Sequence, residues 1–366
     1  MVAGERLNQW RSLKFAVEDN WDLRDIFSGS LEGLAFLHLK YFHQDLYDCL
    51  CKTAQNLRNV EIIHMHNQPL SKLANAPWWQ RVHRLHLEVP LSQVEGLGTT
   101  DVPTIQCASA VDILSKAIAL EDLTVQVQNY TEFMPTNKPL HFPRMKKLVL
   151  RSSDGLLHTI SAPLLTHVEI KTGSWSTGAT LNPGSVFLPA VTHMSVFSSA
   201  PPVLACFYCP SLVQLCLGPD LSRGRHYDPV ITFAWSPDND PEKHLKPSVL
   251  MIQSLDLTWT VLRDLLRFSL RDCLRELSLV ECPLPKSFFK VFMAVKPSSV
   301  ICKDLEKLEV IYTSDTYKKP RIMGWDEGKA ILKSIFTLRR EQNLGLRRVV
   351  AQWRLPRMSR VEFVRR

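Results

Sequence analysis

One six-residue pattern constrains the fold of this chain more than any other feature: apolar, two others, apolar, one other, apolar. It reads Trp10-Leu13-Phe15, Leu34-Leu37-Leu39, Leu57-Val60-Ile62, Val82-Leu85-Leu87, Leu120-Leu123-Val125, Met145-Leu148-Leu150 and Leu165-Val168-Ile170. It continues as Val191-Met194-Val196, Leu212-Leu215-Leu217, Ile252-Leu255-Leu257, Leu274-Leu277-Leu279, Leu305-Leu308-Val310, Leu346-Val349-Ala351 and Met358-Val361-Phe363. Because 45% of the residues are hydrophobic, three apolar positions coincide by chance at about 9% of sites, roughly thirty times in a chain of this length. The bare pattern decides nothing, and the residues around it do.

Three features separate the pattern from chance. The residue between the last two apolar positions is usually polar: His38, Glu61, His86, Thr124, Glu169, Ser195, Asp256, Ser278, Glu309 and Glu362. That alternation has a period of two, which is a strand with one face packed and one open. Successive copies up to Leu212 start 20 to 26 residues apart, one interval excepted, within the leucine-rich-repeat range of about 20–29. Four consecutive copies carry a proline two residues before the first apolar position: Pro143, Pro163, Pro189 and Pro210. Proline lacks the N–H of a ladder and fixes φ, so it belongs at a strand entrance.

The intervening segments fit a return path. Asp45 to Gln55, Ile105 to Ala119, Val261 to Phe268, Ser287 to Val295 and Asp326 to Arg340 have helical apolar spacing, and parallel strands need such crossovers. Between 145 and 217 the repeats are too short for helices, which predicts loops or a turn of 3₁₀ helix. Residues 218–251 carry Pro219, Pro229, Pro237, Pro241 and Pro247 and read as a Pro-rich insertion loop. The last interval is too short for a crossover, so Met358 to Phe363 is expected to run antiparallel to its neighbour. The expected fold class is α/β: one irregular leucine-rich-repeat solenoid over residues 1–366, with about fourteen strand units in a curved parallel sheet and helices and loops on the outer side. In it Leu148, Val168, Met194 and Leu215 should stack as neighbours.

Phe142 to Leu150 (FPRMKKLVL), Ala162 to Ile170 (APLLTHVEI) and Cys209 to Leu217 (CPSLVQLCL) resemble the repeat units of fungal F-box/leucine-rich-repeat proteins. Gln9 to Leu13 (QWRSL) is similar to the first strand after the F-box in that family. The resemblance implies an interaction module like the substrate-recognition region of a ubiquitin-ligase receptor, with a protein substrate as partner. The family's F-box motif, Leu-Pro-x-Glu-Ile or its leucine variant, has no counterpart in this sequence. A Skp-type adaptor is therefore expected to bind only if an F-box stands upstream.

Catalytic signatures do not emerge, and no enzyme or cofactor is expected. The sequence contains no G-x-x-x-x-G-K-S/T, G-x-G-x-x-G, H-E-x-x-H or G-x-S-x-G motif. Cys206 and Cys209 form a C-x-x-C without a second pair, so they read as small buried hydrophobes rather than metal ligands. His64, His66, His83 and His86 lie on strands with nothing converging on them. Asp238, Asp240 and Glu242 lack the glycine and the terminal glutamate of a calcium loop. Trp259, Tyr312 and Trp353 fall at the eighth position with inward parity and read as core packing at the strand exit.

The outward positions form two ladders. The third residue of each unit gives Arg84, Lys147, His167, His193, Lys307, Arg348 and Arg360; the fifth gives Glu61, His86, Glu169, Asp256, Glu309 and Glu362. Two roles fit: the ladders pair with each other and keep the sheet soluble, or they form a partner-binding concave face at Arg84, His86, Lys147, Glu169, His193, Asp256, Lys307 and Glu309. The formal charge of +8 is concentrated in residues 333–366, where Lys333 and nine arginines face Glu341 and Glu362. Arg347, Arg348, Arg354, Arg357, Arg360, Arg365 and Arg366 there read as a basic C-terminal cap. The alternative is a scaffold that binds nucleic acid or an acidic partner through this end. With the first 332 residues near neutrality, nucleic acid is disfavoured as a general partner. A monomer in the cytoplasm or nucleus, without membrane attachment, is expected from the missing apolar leader, the scattered cysteines and a mean hydropathy of −0.07.

Overall fold

A tight turn opens many of the repeats. The backbone N–H at Val82, Leu120, Met145, Leu165, Val191, Leu212 and Leu305 donates to the carbonyl three residues earlier, at Trp79, Ala117, Phe142, Ala162, Leu188, Cys209 and Cys302. Pro143, Pro163, Pro189 and Pro210 each occupy the second position of such a turn. The ring pre-sets the φ that position needs, and the missing N–H removes no bond there. The residues that follow, Arg144, Leu164, Ala190 and Ser211, keep negative φ, as a type I turn requires.

A computed structural model describes residues 9–16, 26–27, 29–41, 43–63, 70–89, 101–127, 139–151, 156–157, 159–172, 186–198, 204, 207–219, 245–254, 262–263, 266–267, 270–282, 285–293, 301–312, 325–354 and 358–365. The chain divides into two units, Met1–Ile170 and Lys171–Arg366. The first holds β1 (Ser12–Phe15), β2 (Phe36–Leu39), β3 (Asn59–Ile62), β4 (Arg84–Val89), β5 (Asp122–Val127), β6 (Leu140–His141), β7 (Lys147–Arg151), β8 (Ile160–Ser161) and the start of β9 (His167–Thr172). The second holds β10 (Val186–Phe187), β11 (His193–Ser198), β12 (Phe207–Tyr208), β13 (Gln214–Gly218), β14 (Val249–Gln253), β15 (Glu276–Val280), β16 (Lys307–Tyr312), β17 (Arg348–Arg354) and β18 (Met358–Val364). The class is mixed α/β, dominated by parallel pairing.

Most strands enter the ladder in the same way. In the first unit the carbonyl of Arg11 accepts from Ala35 and Phe36, that of Ala35 from Arg58 and Asn59, and that of Arg58 from His83 and Arg84. His83, Glu121 and Lys146 repeat the arrangement, and in the second unit so do Thr192, Ser248, Arg275 and Glu306. This fixes the register, and the apolar rows fall into line. Leu13, Leu37, Val60, Leu85, Leu123 and Leu148 form one row, Phe15, Leu39, Ile62, Leu87, Val125 and Leu150 the next. Val168 follows Leu148, because the Lys146 carbonyl takes the N–H groups of Thr166 and His167. In the second unit the rows are Met194, Leu215, Leu250, Leu277, Leu308 and Val349, then Val196, Leu217, Ile252, Leu279, Val310 and Ala351. These side chains are buried, and each contributes about 1.5–3 kcal/mol of apolar burial. β18 runs antiparallel to β17, as its short connection demands.

One strand is phased differently from its expectation. The sequence pattern put the tenth unit at Ile252-Leu255-Leu257, yet β14 pairs Leu250 with Leu215 and Ile252 with Leu217. Buried Pro247 takes the first apolar slot, and a search for aliphatic and aromatic residues passes over it. The strand thus begins inside the stretch read as an insertion, 218–251, which holds the last residue of β13 and the first three of β14.

The connections follow the helical spacing in most places. Helices span Gln44–Thr53, Asp101–Lys116 and Trp325–Glu341, and Lys286–Phe289 continues as 3₁₀ helix to Met293. Half of Val261 to Phe268 lies outside the described residues. In the middle repeats the return path also includes short parallel pairs, β6 with β8 and β10 with β12, just ahead of the proline turns. Along β2, β3, β5 and β16 buried and half-exposed residues alternate strictly. One face of these strands is packed and the other stays open.

Candidate functional site

The open face is built by the third, fifth and seventh residues of each unit, all of one parity. In the first unit the third-position row runs Arg84, Asp122, Lys147, so an aspartate interrupts the basic ladder expected there. The fifth-position row runs His38, Glu61, His86, Thr124, Val149. Glu61 bridges its neighbours: Nδ1 of His38 lies 2.8 Å from one carboxylate oxygen and Nδ1 of His86 lies 3.3 Å from the other. A carboxylate accepts, so each imidazole donates from Nδ1. Burial by itself would push the Glu61 carboxyl up, but the two imidazoles outweigh it and hold it below its ordinary value.

A second chain of polar contacts runs along the seventh position. Glu88, only 3% exposed, accepts from Gln126 Nε2 at 3.2 Å, and Gln126 Oε1 accepts from Arg151 at 3.3 Å. A six-residue pattern ends one residue short of this row, which is why sequence reasoning missed it. Continuing the period of two by one step would have found it.

In the second unit the ladders partly neutralise one another. Lys307 lies 3.7 Å from Glu276 and 3.6 Å from Glu309, and Ser278 donates to Glu309 at 2.9 Å. His193 opens the third-position row, beside Gln214 and Val249. Glu169 lies half-exposed on β9. Asp256 lies outside the described residues; the fifth position of its unit belongs to Met251. The middle of this face consequently sets Val249 and Met251 beside Gln214 and Gln253. Phe197 lies across Gly218, where a Cβ would come within 2.9 Å of the ring, and Lys171 Nζ stands 5.3 Å from the ring centre.

The arginine-rich end divides by environment. Arg339 is fully buried and donates to the carbonyls of Ile301 at 3.0 Å, Cys302 at 2.5 Å and Lys303 at 3.4 Å. It secures the turn in which Cys302 adopts φ 47°. Arg348 and Arg360 share Glu362 at 2.7 and 3.5 Å, and Arg347 lies 4.0 Å from Glu306. Arg340 and Arg365 are exposed. Arg354 ends β17, while Arg357 and Arg366 lie outside the described residues.

The remaining candidates do not converge. Cys209 is buried, and Tyr312 is buried with its hydroxyl donating to the Cys282 carbonyl at 2.5 Å. Cys206, His64, His66, Trp259, Asp238, Asp240 and Glu242 lie outside the described residues, as does the Trp353 side chain. Among the described residues no cluster of histidine, cysteine, aspartate and glutamate has the geometry to hold a metal ion, and no helix is long and apolar enough to cross a membrane. No protein-family model matches this chain, and no curated protein matches it.

Proposed function

We propose that this chain is a protein-interaction module of the leucine-rich-repeat solenoid type, whose open strand face receives a partner. The role resembles that of the substrate-recognition repeats of F-box/leucine-rich-repeat ubiquitin-ligase receptors. The observation that carries the reading is the strict alternation of buried and half-exposed residues along the parallel strands β2, β3, β5 and β16. In ordinary parallel α/β sheets helices cover both faces. A parallel sheet that leaves one face open presents a long surface, and repeat proteins use such surfaces for binding. The mixed chemistry of that face, carboxylates and imidazoles in the first unit and apolar groups beside carboxylates and a lysine in the second, suits a protein partner.

The second reading, polyanion binding through residues 333–366, has less support. Arg339 is spent on backbone carbonyls, and Arg347, Arg348 and Arg360 have carboxylates within reach. Quantitative affinity purification from cells tests the first reading. Proteins recovered with the parent chain should be lost from a variant carrying Arg84→Glu, Lys147→Glu and Met251→Glu with an unchanged unfolding temperature. Retention of every partner by that folded variant would refute an open-face interaction.

A further inference from the structure

The open face of the second unit changes character where the register correction places Met251. Across β11, β13 and β14 the fifth-position row runs Ser195, Cys216, Met251. Val249 precedes Met251 on the same face, and Phe197, Val280 and Ile311 occupy the seventh position of their units. Apart from buried Cys216 these apolar side chains are half-exposed, on a face that is otherwise polar. Gly218 leaves the space that the Phe197 ring takes up beside it. Glycine weakens a strand, so its presence there marks a close approach.

Charge differs between the two ends of the strip. Lys171 Nζ stands 5.3 Å from the Phe197 ring centre at one end. At the other, Glu276 neighbours Val249 in the register, and Glu276 and Glu309 together face Lys307, one carboxylate in excess at that end. The Glu276 side chain is 45% exposed.

We propose that Phe197, Cys216, Val249, Met251, Val280 and Ile311 form the docking strip of the second unit, and that its occupant is a protein segment presenting an apolar side chain next to a lysine or arginine. The inference rests on the interaction-module reading and specifies its partner chemistry. The apolar side chain fills the strip over Met251 and Cys216, where burial of an anchor yields most of the affinity of an interface. The cation meets the excess carboxylate at Glu276, which sets orientation and partner choice. A nucleic acid would bring its phosphates against that carboxylate and an apolar floor, which excludes it as the occupant here.

A random twelve-residue peptide library displayed on phage, panned on the full chain, tests the proposal, with synthetic copies of enriched peptides titrated by fluorescence anisotropy. The expected peptides place Leu, Ile, Met or Phe beside Lys or Arg. Their binding should weaken at least about tenfold in Met251→Glu and in Phe197→Ser. In Glu276→Gln it should weaken about threefold or more, with a flatter salt dependence. Unfolding temperature is the folding control, and Met251→Ser serves as the milder variant. Peptides that bind Phe197→Ser and Met251→Ser as tightly as the parent would overturn the strip. If those peptides instead lose affinity for Arg84→Glu with Lys147→Glu, the interaction-module reading stands while the strip fails. If panning yields no binding peptide, both fail.

Discussion

Glu61 holds two imidazoles at once, and that arrangement has a pH signature. Its carboxyl lies below the ordinary carboxylate value because His38 and His86 outweigh its burial. A lowered folded-state value means that the unfolded chain binds the proton more readily than the native one. The stabilisation is therefore complete above the ordinary carboxylate range, roughly pH 4–4.5, and is lost as pH falls through the lower folded value. Thermal unfolding of the parent and of Glu61→Gln should accordingly differ in favour of the parent at about pH 5–6, and the difference should shrink below about pH 4. A difference that does not shrink below about pH 4 would remove Glu61 as the shared acceptor. Gly218→Ala is a second single-residue test. The added methyl must displace the Phe197 ring, so a loss of about 1 kcal/mol or more in denaturant unfolding is expected, together with weaker binding of strip peptides. The glycine was legible in the sequence, but its purpose appears only once the register sets it beside Phe197.

At the scale of the element, the repeat was readable because local chemistry and global register agree. Proline, turn and apolar triplet recur in phase, and most strands form where the triplet falls. β14 escaped because Pro247 stands where the other units carry tryptophan, leucine, valine or methionine, and that one slip put Asp256 where Met251 belongs. The correction is testable at two adjacent residues. Leu250 is fully buried between Leu215 and Leu277, while Met251 is half-exposed on the opposite face. Leu250→Asp should destabilise by about 3–5 kcal/mol, as an unpaired charge in a core does, and Met251→Asp by about 1 kcal/mol or less. Equal losses in urea unfolding would show that the strand is phased otherwise. Arg339 is the second element-level surprise. Spacing places it in the basic end, but no sequence signal says that it points inward at three carbonyls. Arg339→Met should cost about 3–5 kcal/mol through the unsatisfied acceptors at Ile301 and Cys302, whereas Arg340→Met, exposed beside it on the same helix, should cost little.

Over the whole chain, net charge is the property the sequence states most plainly and explains least. The formal +8 resides in residues 333–366, which invites a polyanion partner until the arginines are placed one by one. Arg339 leaves the surface altogether, and Arg348 and Arg360 converge on Glu362. Arg347 reaches toward Glu306, an acid outside the basic stretch that no count within it would include. A field of this kind is short-ranged, because each pair is screened beyond about 10 Å at ordinary ionic strength. Counterion release gives a quantitative expectation: the slope of log K against log salt approaches −0.9 for each phosphate neutralised. If Arg340, Arg347, Arg360 and Arg365 all met phosphates, the slope for heparin or duplex DNA would approach about −3.6. With Arg347 and Arg360 already beside carboxylates, a slope of about −2 or shallower is expected, with binding gone near 0.15 M salt. Replacing the four by glutamine should move the unfolding temperature by only a few degrees, since exposed ion pairs contribute about 0–1 kcal/mol each. A slope steeper than about −3 that collapses in the glutamine variant would make this end a polyanion site rather than a charged surface over the last strands.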